Sequence, residues 1–570
     1  MCSVTHRYSL AIYNRPDYEE GRRAGKSTKA FFLPSCLPCC LCVRDVSFRV
    51  REYERPSLKR DVDSLRDQRF DLLILGAGIT GAGVALDATL RGFRTALIDK
   101  GDFASGTSSV SSKLVHGGLR YLEHGGFHLV YEALHERRLL LKNAFPYVRP
   151  LRFVIPFYRR SRMPAWKARA GLVLYDLLAG SSNLRRSRPL PTEMLRREFC
   201  GIQDDQLLGG AEYYDAQMDD ARLCLSVVRT AALQGARVAN YVQAVAFEKR
   251  EGKIVSVRAR DQVSGAEFDI RARQVLNATG PWTDEVARLA GDAAESLLQP
   301  TKGVHLIVSR KDLDGALLLL HPADGRVFFV IPWMQKTLIG TTDTVTDESP
   351  DTLFVTPAEI DYLLEGYNRY FMTALRSSDV LGTFAGLRPL MRSGPGKPSS
   401  LSREYRIVES ASGLISVAGG KYTTYRRMAE VITDTVSRRL GRRGPCRTRD
   451  FRLDGALPVV QSVGEASGVS YDPGSSRIIR EIEALRGSGN SLDEESARHL
   501  VTRYGSRARD VAAYCLSDPK GLTRIVPDAP DLRGELAYQR HHEMAIYPKD
   551  FALRRTRLGL FHPEIIGAGI

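Results

Sequence analysis

The sequence lacks long apolar stretches, and its 570 residues show no internal repeat. A transmembrane helix needs about 20 consecutive, mostly apolar residues, and no stretch here reaches that length. The sequence therefore predicts no membrane-spanning helix, while attachment to a membrane surface is left open. With 43% hydrophobic and 26% charged residues, the chain is typical of a soluble globular protein with two or more domains.

Cysteine is scarce outside the amino-terminal segment. Only Cys200, Cys224, Cys446 and Cys515 follow residue 42, and their wide spacing excludes a disulfide framework and favours a reducing compartment. The other five cysteines lie within the first 42 residues, and the run CLPCCLC is not followed by a His or Cys pair at zinc spacing. We therefore predict no metal site.

Signatures of nucleic-acid binding are also lacking. The sequence has no zinc-finger spacing, no aromatic and glycine RNA-binding signature and no basic heptad region, so nucleic acid is the least favoured partner. The net charge of +16 and the isoelectric point near 9.4 can instead attract anionic lipid or an anionic substrate. Most of the 82 basic residues are expected to lie on a solvated surface.

The first 68 residues form a separate segment. They have no clear hydrophobic period and precede the first predicted strand. Asp17, Glu19 and Glu20 argue against a mitochondrial presequence, and the short apolar run at 36–43 lacks a signal-peptide cleavage pattern. We predict that residues 1–68 are a disordered or targeting extension, or an over-extended gene start.

A complete dinucleotide-binding unit follows, from Phe70 to Lys100. Its first apolar run predicts a buried parallel strand, the loop GAGITG opens a helix, and FRTALID predicts a second strand. The glycines permit a tight turn, close approach of backbone to a pyrophosphate, and packing of the helix on the strand. The helix start supplies amide donors, and the terminal carboxylate can accept hydrogen bonds from a ribose. The residues predicted to bind the dinucleotide here are Gly76, Gly78, Ile79, Thr80, Gly81 and Asp99.

The next segment, Lys100–Gly125, differs from the further strand and helix units that usually follow in a nicotinamide enzyme. Its small hydroxyl residues can hydrogen-bond an extended pyrophosphate and ribityl chain. A Ser- and Gly-rich stretch can also be a solvated linker, but the embedded His116, Arg120 and Tyr121 argue against that interpretation. The residues of this segment assigned to the cofactor are Thr107, Ser108 and Ser109.

The motif TSSVSSKLVHGGLRYLEHG in this segment closely resembles the flavin-contacting loop of the FAD-dependent glycerol-3-phosphate dehydrogenases. The resemblance continues in order over residues 69–561, and several motifs in order are far more specific than any one of them. The further motifs are NATGPWTDEVA (Asn277–Ala287), FFVIPWMQKTLIGTTDT (Phe328–Thr344), FAGLRPL (Phe384–Leu390), GLISVAGGKYTTYRRMAE (Gly413–Glu430) and ALRRTRLGLF (Ala552–Phe561).

The resemblance implies FAD as the cofactor and an α/β fold. We expect a discontinuous Rossmann-like FAD-binding domain, an antiparallel-sheet substrate domain and a helical C-terminal domain. Alternating strands, with PAEIDYLLEGYNRYFMTAL as a covering helix, support the substrate domain. The expected boundaries are 69–148, 273–293 and 385–440 for the FAD-binding domain, 149–272 and 294–384 for the substrate domain, 441–458 for a linker and 459–570 for the helical domain.

Oxidation of a secondary alcohol by a flavin needs a base for the hydroxyl proton and groups that orient the substrate. His116 is the predicted base, because an imidazole has an unperturbed pKa of about 6.5 and the resemblance places this residue beside the flavin. The resemblance also assigns Arg388 and Lys421 to the substrate, and cations suit the phosphate dianion of sn-glycerol 3-phosphate. The predicted catalytic set is His116, Arg120, Tyr121, Arg388, Lys421 and Thr423, and the further cofactor residues are Gly280, Gly386, Gly420 and Thr424.

Several of these assignments have a structural alternative. His116 can serve only to orient the glycine turn that follows it, Arg388 can form an internal salt bridge, and Lys421 can be a solvated lysine at a helix start. Arg120 lies four residues after His116, so on a helix the two side chains would share a face and the guanidinium would depress the imidazole pKa. Tyr422 stands where the family more often has a smaller apolar residue, which would tighten the pocket.

The resemblance implies that sn-glycerol 3-phosphate is oxidised to dihydroxyacetone phosphate and that membrane quinone takes the electrons. The alternatives are an oxidase that reduces dioxygen, an amine-oxidising flavoenzyme of the same fold, and a non-catalytic nucleic-acid-binding module. The segment Arg159–Gly180 combines basic residues, Trp166 and an apolar helix face, which suits an interfacial helix on anionic lipid as well as a packed amphipathic helix. We expect a cytoplasmic protein attached peripherally to the inner membrane, the mitochondrial one in a eukaryote. A homodimer is left open.

Overall fold

The computed structural model describes residues 58–159, 161–292, 296–309, 313–392, 405–442, 444–459, 475–486 and 492–567. Most of the predicted extension, including its cysteine run, lies outside these residues. Its last part belongs to the folded body, because Leu58 is buried and Arg60 Nη2 lies 2.5 Å from Asp261 Oδ1. The predicted boundary at residue 68 is therefore too late. The two buried leucines of this segment, Leu58 and Leu65, and the ion pair of Arg60 produce no periodic pattern that the sequence could show.

The described residues contain eighteen strands. They are β1 Arg69–Leu75, β2 Thr95–Ile98, β3 Leu114–Val115, β4 Val148–Tyr158, β5 Arg188–Leu190, β6 Leu207–Met218, β7 Arg237–Ala239, β8 Val242–Arg250, β9 Lys253–Asp261, β10 Glu267–Asn277, β11 Thr301–Val308, β12 Ala316–Leu320, β13 Val327–Trp333, β14 Lys336–Gly340, β15 Thr344–Val345, β16 Val380–Arg388, β17 Tyr405–Glu409 and β18 Ile415–Gly419.

They also contain fifteen α-helices, several of a single turn. They are α1 Asp63–Arg66, α2 Ile79–Leu90, α3 Phe127–Asn143, α4 Ala165–Ala179, α5 Thr192–Glu198, α6 Asp220–Leu233, α7 Thr283–Leu289, α8 Pro357–Asn368, α9 Tyr425–Leu440, α10 Ser475–Arg486, α11 Glu494–Tyr504, α12 Ala508–Ser517, α13 Arg533–His542, α14 Pro548–Asp550 and α15 Glu564–Gly567.

The first sheet contains the predicted dinucleotide-binding unit. Its strands run in the order β17-β18-β10-β1-β2-β7, and β1 pairs in parallel with both β10 and β2. Strand β1 is buried from Phe70 onwards, as is typical of a parallel strand covered on both faces. Helices α2, α6 and α9 contribute Val84, Val227 and Ile432 to one hydrophobic cluster on this sheet. The carboxyl ends of β1, β2 and β18 meet at one edge, where ligands bind in such sheets.

The second sheet is mostly antiparallel and has ten strands. Its main order is β15-β11-β14-β13-β12-β4-β6-β3, with β16 paired to β11 and β5 paired to β6. Helix α8 begins at a capping box formed by Thr356 and Glu359, and its buried Leu363 and Tyr367 pack with Val304 of β11. This is the antiparallel domain with a covering helix that the alternating pattern predicts.

The pairing of the strands differs from the predicted domain borders. Residues 149–272 are predicted to lie in the substrate domain, but β7 pairs with β2 and the hairpin of β8 and β9 extends β10 of the first sheet. In the other direction, β3 lies within the predicted block 69–148 but pairs with β6 of the second sheet. Alternation of apolar and polar residues marks a half-buried strand, and it does not tell which sheet the strand joins.

The carboxyl-terminal part is helical, as predicted. Helices α11, α12 and α13 share a hydrophobic cluster that includes Leu500, Val511 and Tyr538, and Phe145 from the end of the first block also packs into it. The chain then returns to the second sheet through a π-helix, Phe551–Arg555, and contributes Leu558 to the core of that sheet. None of the described helices has the length and apolarity needed to cross a bilayer.

Candidate active site

A cavity of about 800 Å³ is lined by residues from both sheets. Leu75, Ile98 and Val417 line it from the carboxyl ends of the first sheet, and His305 and Gly386 line it from the second. Sites for organic ligands and cofactors usually have volumes of about 300–1,000 Å³. The cavity is therefore large enough for a large organic cofactor, and it lies where the parallel strands end.

The glycine-rich turn after β1 forms part of the cavity wall. Gly76 has a left-handed φ of 98°, and a Cβ atom there would lie 2.7 Å from the carbonyl oxygen of Ala278. A Cβ atom at Gly81 would lie 1.9 Å from the carbonyl oxygen of Gly76. The first glycine thus permits the turn, and the third permits α2 to pack closely on β1.

Asp99 follows β2 at the same edge and lines the cavity. Its Oδ2 accepts a hydrogen bond from the N–H of Ala77 at 2.7 Å, and its Oδ1 accepts one from the N–H of Gly101 at 2.9 Å. Burial raises the pKa of the Asp99 carboxyl to about 6, although the two backbone donors oppose the rise. Each carboxylate oxygen can accept a further hydrogen bond, such as one from a ribose hydroxyl.

Hydroxyl residues of the loop after β2 line the middle of the cavity. The Oγ atom of Ser108 accepts a hydrogen bond from the N–H of Ile79 at 3.0 Å and so satisfies a donor at the start of α2. The Oγ1 atom of Thr107 donates to the carbonyl oxygen of Leu387 at 2.7 Å. These bonds connect the loop to helix α2 and to strand β16 of the second sheet.

The cavity wall brings together His116, Tyr121, Lys421 and Thr423. The Nζ atom of Lys421 lies 3.9 Å from the centre of the Tyr121 ring, which is a cation–π contact. The Oγ1 atom of Thr423 accepts a hydrogen bond from the backbone N–H of His116 at 3.2 Å. Thr423 therefore fixes the backbone of the predicted base across a sequence separation of 307 residues.

Arg388 ends β16 and also lines the cavity. Its Nη1 atom lies 3.0 Å from Asp343 Oδ1, and its Nη2 atom donates to Thr341 Oγ1 at 3.0 Å and to the carbonyl oxygen of Thr342 at 3.1 Å. The internal salt bridge that the sequence offers as an alternative is thus present at a cavity-lining residue. Gly303 gives the guanidinium its room, because a Cβ atom there would lie 2.5 Å from Arg388 Nη2.

His305 is a second imidazole in the cavity wall, and it is not among the site residues that the sequence predicts. It lies on β11, its Nε2 atom is 2.9 Å from Ser112 Oγ, and its ring stacks on Phe384 with a centroid distance of 4.8 Å. Burial, together with repulsion from Lys113 and Arg388, lowers its pKa to about 3, so the ring is neutral near pH 7. The sequence indicates this position only by a histidine among the apolar residues Val304, Leu306 and Ile307.

Some predicted site residues lie away from this wall. Of the residues predicted to act in the site, those that the structure describes outside the cavity lining are Gly81, Ser109, Arg120 and Thr424. Arg120 is half-buried in the 3₁₀ helix Leu119–His124, which begins only after Gly118, a residue with a left-handed φ of 78°. His116 and Arg120 therefore do not share a helix, and the condition for the expected effect on the imidazole pKa is not met.

A buried polar cluster of Tyr175, Asp215 and Arg137 holds the turn after His116 through its backbone. The N–H of Gly117 donates to the hydroxyl oxygen of Tyr175 at 2.9 Å, and that hydroxyl donates to Asp215 Oδ2 at 2.8 Å. Arg137 Nη1 lies 2.6 Å from Asp215 Oδ1. A Cβ atom at Gly117 would lie 2.4 Å from the Tyr175 hydroxyl oxygen, so glycine is needed for this contact.

Two family models match the chain. Residues 71–426 match the FAD dependent oxidoreductase family, and residues 446–566 match the C-terminal domain of alpha-glycerophosphate oxidase. Glycerol-3-phosphate dehydrogenase 2 of Mycobacterium tuberculosis is 38% identical over 88% of this chain and 83% of its own length. The chain belongs to the FAD-dependent glycerol-3-phosphate dehydrogenase family.

Further members of the glycerol-3-phosphate dehydrogenase family are similar over most of their length. The protein of Synechocystis sp. is 38% identical over 88% of this chain and 91% of its own length, and the mitochondrial protein of Homo sapiens is 36% identical over 90% and 70%. The X-ray structure of the glycerol-3-phosphate dehydrogenase from Bacillus halodurans complexed with FAD is 32% identical, with a TM-score of 0.71 over 89% of both chains. The predicted family and fold class are confirmed.

FAD is the cofactor of this oxidoreductase, as predicted. The cavity has features that fit it: a glycine turn that lines the wall with Gly76 and Gly78, a helix start at Ile79, and a carboxylate at Asp99. The hydroxyl groups of Thr107 and Ser108 add hydrogen-bonding groups along the same wall. We propose these residues as contacts of the pyrophosphate and ribose groups.

Proposed function

We propose that the protein oxidises sn-glycerol 3-phosphate to dihydroxyacetone phosphate and passes the electrons from reduced FAD to a membrane quinone. The bound flavin supplies the hydride acceptor. The observation that carries the proposal is the convergence of a histidine and two cations, His116, Arg388 and Lys421, on one cavity of an FAD-dependent chain. A cationic wall suits a phosphate dianion, and an imidazole suits a hydroxyl proton.

Arg388 and Lys421 would bind the phosphate from two different elements. Asp343 and Thr341 hold the guanidinium of Arg388 in one orientation, so little side-chain entropy is lost when it binds the substrate. Lys421 is held over the ring of Tyr121. The phosphate would thereby fix the position of the carbon that is oxidised.

His116 would take the hydroxyl proton on an imidazole nitrogen, in a position fixed by Thr423 through the backbone. His305 is the other imidazole in the wall. Because its pKa is lowered to about 3, it accepts hydrogen bonds but is a weak base near pH 7. The low pKa argues against His305 as the base and leaves His116 as the proposed one.

The first test is anaerobic addition of sn-glycerol 3-phosphate to the purified holoprotein. We expect loss of the oxidised-flavin absorbance, because the substrate reduces FAD when no acceptor is present. Glycerol at the same concentration serves as the control, and it should reduce the flavin far more slowly because it lacks the phosphate. Flavin that stays oxidised with saturating glycerol 3-phosphate would refute the proposed reaction.

A second experiment tests whether quinone or dioxygen accepts the electrons. Turnover with a soluble quinone analogue is compared with turnover in air-saturated buffer at the same substrate concentration. Faster turnover with the quinone is the expected result. One molecule of hydrogen peroxide formed for each substrate oxidised, at an equal or greater rate, would identify the alternative, a glycerol-3-phosphate oxidase.

The proposed contact with the membrane rests on an exposed apolar surface of α3 and α4. On α4, Trp166, Val173 and Leu177 are 72%, 57% and 72% exposed, and they recur at intervals of seven and four residues on one helix face. At the start of α3, Phe127 and Tyr131 are 47% and 50% exposed. Such a surface suits burial at the boundary of headgroups and acyl chains.

Binding to vesicles that contain anionic phospholipid tests this surface. We expect Leu177→Ser to weaken binding about tenfold or more, because burying a leucine contributes about 1.5–3 kcal/mol. Met372→Ser, which changes a side chain that is 63% exposed elsewhere, is the matched control. Because Lys167 and Arg169 are exposed on α4, salt should also weaken binding. Equal binding by both variants would contradict the assignment.

A further inference from the structure

Three arginines near the carboxyl terminus reach into the loop that lines the FAD cavity. We propose that Arg554, Arg555 and Arg557, here called the C-terminal clamp, position the segment Asp102–Lys113 and thereby set the affinity of the protein for FAD. This inference rests on FAD as the cofactor and on no assumption about the substrate or the electron acceptor. It assigns a task to the carboxyl-terminal domain, whose role the sequence does not reveal.

The C-terminal clamp holds the segment at two carboxylates, and the first of these anchors is Asp102, three residues after the cavity-lining Asp99. Its carboxylate is fully buried and accepts hydrogen bonds from Arg554 Nε at 2.6 Å, Arg555 Nη1 at 2.8 Å and Arg555 Nη2 at 3.0 Å. Asn240 Nδ2 adds a fourth bond at 3.1 Å. Burial disfavours the charged carboxylate, but attraction to the two arginines holds its pKa below the ordinary value. The clamp thus makes an otherwise costly buried charge possible.

The second anchor is Asp220, which holds the other end of the same segment. Its Oδ2 atom accepts hydrogen bonds from Ser111 Oγ at 2.7 Å, from the Ser111 N–H at 3.1 Å and from Lys113 Nζ at 2.7 Å. Arg557 Nη2 is hydrogen-bonded to Asp220 Oδ1, and Arg557 Nη1 donates to the carbonyl oxygen of Ser109 at 3.0 Å. Arg557 therefore binds both the loop and the carboxylate that holds the loop.

The residues between the two anchors face the cofactor cavity. Thr107, Ser108, Ser111 and Ser112 line it, and Lys113 Nζ also donates to the carbonyl oxygen of Ser109 at 2.7 Å. A free loop would have to lose conformational entropy when FAD binds, whereas a loop that is already held loses less. Loss of one clamp arginine leaves a buried carboxylate with fewer partners, so the loop should relax and the affinity for FAD should fall.

The test compares Arg557→Gln with Arg507→Gln in the full-length holoprotein. Arg507 is the matched control because it is a buried arginine of the same domain whose Nη2 lies 2.6 Å from Asp454, and its ion pairs do not involve the loop. FAD release on dilution is followed by flavin fluorescence, and the thermal midpoint is measured with and without excess FAD. We expect the dissociation constant for FAD to rise at least tenfold in Arg557→Gln and to change less than twofold in Arg507→Gln. Excess FAD should recover more of the thermal midpoint in the first variant.

Arg557→Lys keeps the buried charge and serves if the glutamine variant does not fold. Because a single ammonium cannot reproduce the guanidinium contacts with both Asp220 and Ser109, we expect a smaller rise in the dissociation constant, about threefold to tenfold. A dissociation constant equal to that of the unmodified protein, with the thermal midpoint lowered equally at both FAD concentrations, would overturn the proposal. The domain would then stabilise the fold without positioning the loop.

Discussion

At the level of single residues, two histidines line the cavity, and they differ in burial and in their neighbours. His305 is fully buried beside Lys113 and Arg388, which together with burial makes its protonation costly. His116 lies on the turn after β3, is half-buried and has its backbone fixed by Thr423. The first therefore acts as a permanently neutral hydrogen-bonding group near pH 7, and the second is the better candidate for proton transfer.

The low pKa of His305 predicts a loss of stability on acidification. In the unfolded chain an imidazole binds a proton below a pKa of about 6.5, whereas folded His305 does so only near pH 3. The unfolded state thus binds more protons between these values, and stability falls as the pH falls through this window. At pH 5 the expected cost is about 2 kcal/mol.

His305→Gln should remove this part of the acid sensitivity. Urea unfolding is measured at pH 7 and pH 5 for both proteins, so that effects of the substitution that do not depend on pH cancel. The decrease in the free energy of unfolding should be about 2 kcal/mol smaller in the variant. Identical decreases in the two proteins would show that the imidazole titrates alike in the folded and unfolded states.

At the scale of elements, α4 has two faces with different tasks. Its exposed face carries Trp166 and Leu177, and its buried face carries Tyr175, which holds the turn after the predicted base. The amphipathic pattern of this helix can be recognised in the sequence. The hydrogen bond from Gly117 to Tyr175 cannot, because it joins residues 58 positions apart whose side chains form no periodic pattern.

Two glycine substitutions distinguish the contribution of the turn after His116 from that of helix α4. At Gly117 a Cβ atom would lie 2.4 Å from the Tyr175 hydroxyl oxygen, so Gly117→Ala should displace the turn and lower stability by about 1–3 kcal/mol. At Gly171, inside α4, a Cβ atom would meet no atom within 4 Å, so Gly171→Ala should raise helix stability by about 0.5–1 kcal/mol.

Thermal unfolding and the rate of flavin reduction measure both effects. Gly117→Ala should also slow reduction of the flavin, because it moves the backbone next to His116. Gly171→Ala should reduce flavin at the rate of the unmodified protein. If Gly117→Ala has full stability and full rate, the buried cluster of Tyr175 and Asp215 does not position the turn.

At the level of the whole molecule, the sequence predicts the helices and strands more accurately than it predicts which strands pair with each other. Order and spacing of motifs predict the first strand, glycine turn and helix, and they predict an antiparallel second domain with its covering helix. The hairpin of β8 and β9 is assigned to the wrong domain, because period-2 alternation is the same in either sheet. Strand partners depend on contacts between distant segments.

Contacts between distant segments also limit what the sequence predicts about the site. His116, Tyr121, Arg388, Lys421 and Thr423 come from distant segments, and the structure brings all of them to one cavity. Residues that only complete the wall or hold it carry weaker signals in the sequence. His305 has the appearance of a strand residue, and the arginines of the C-terminal clamp have that of surface charges until their buried partners are known.

In the proposed reaction, the cations of this cavity bind the substrate phosphate while His116 accepts the proton. Rapid mixing of the oxidised holoprotein with glycerol 3-phosphate, without an acceptor, measures both steps. The concentration dependence gives the dissociation constant of the substrate, and the limiting rate gives the rate of flavin reduction. We expect His116→Ala to lower the limiting rate about 10²–10⁴-fold, which is the usual contribution of a general base.

In the same measurement, Arg388→Ala should raise the dissociation constant about tenfold to a hundredfold, because hydrogen bonds to charged groups contribute about 1.5–3 kcal/mol. Arg388→Lys should lie between this variant and the unmodified protein, since it keeps the charge and loses the fork. We therefore expect His116→Ala to lose mainly the rate of flavin reduction and Arg388→Ala to lose mainly affinity for the substrate. Unchanged rate and affinity in both His116→Ala and Arg388→Ala would show that neither residue has the proposed role.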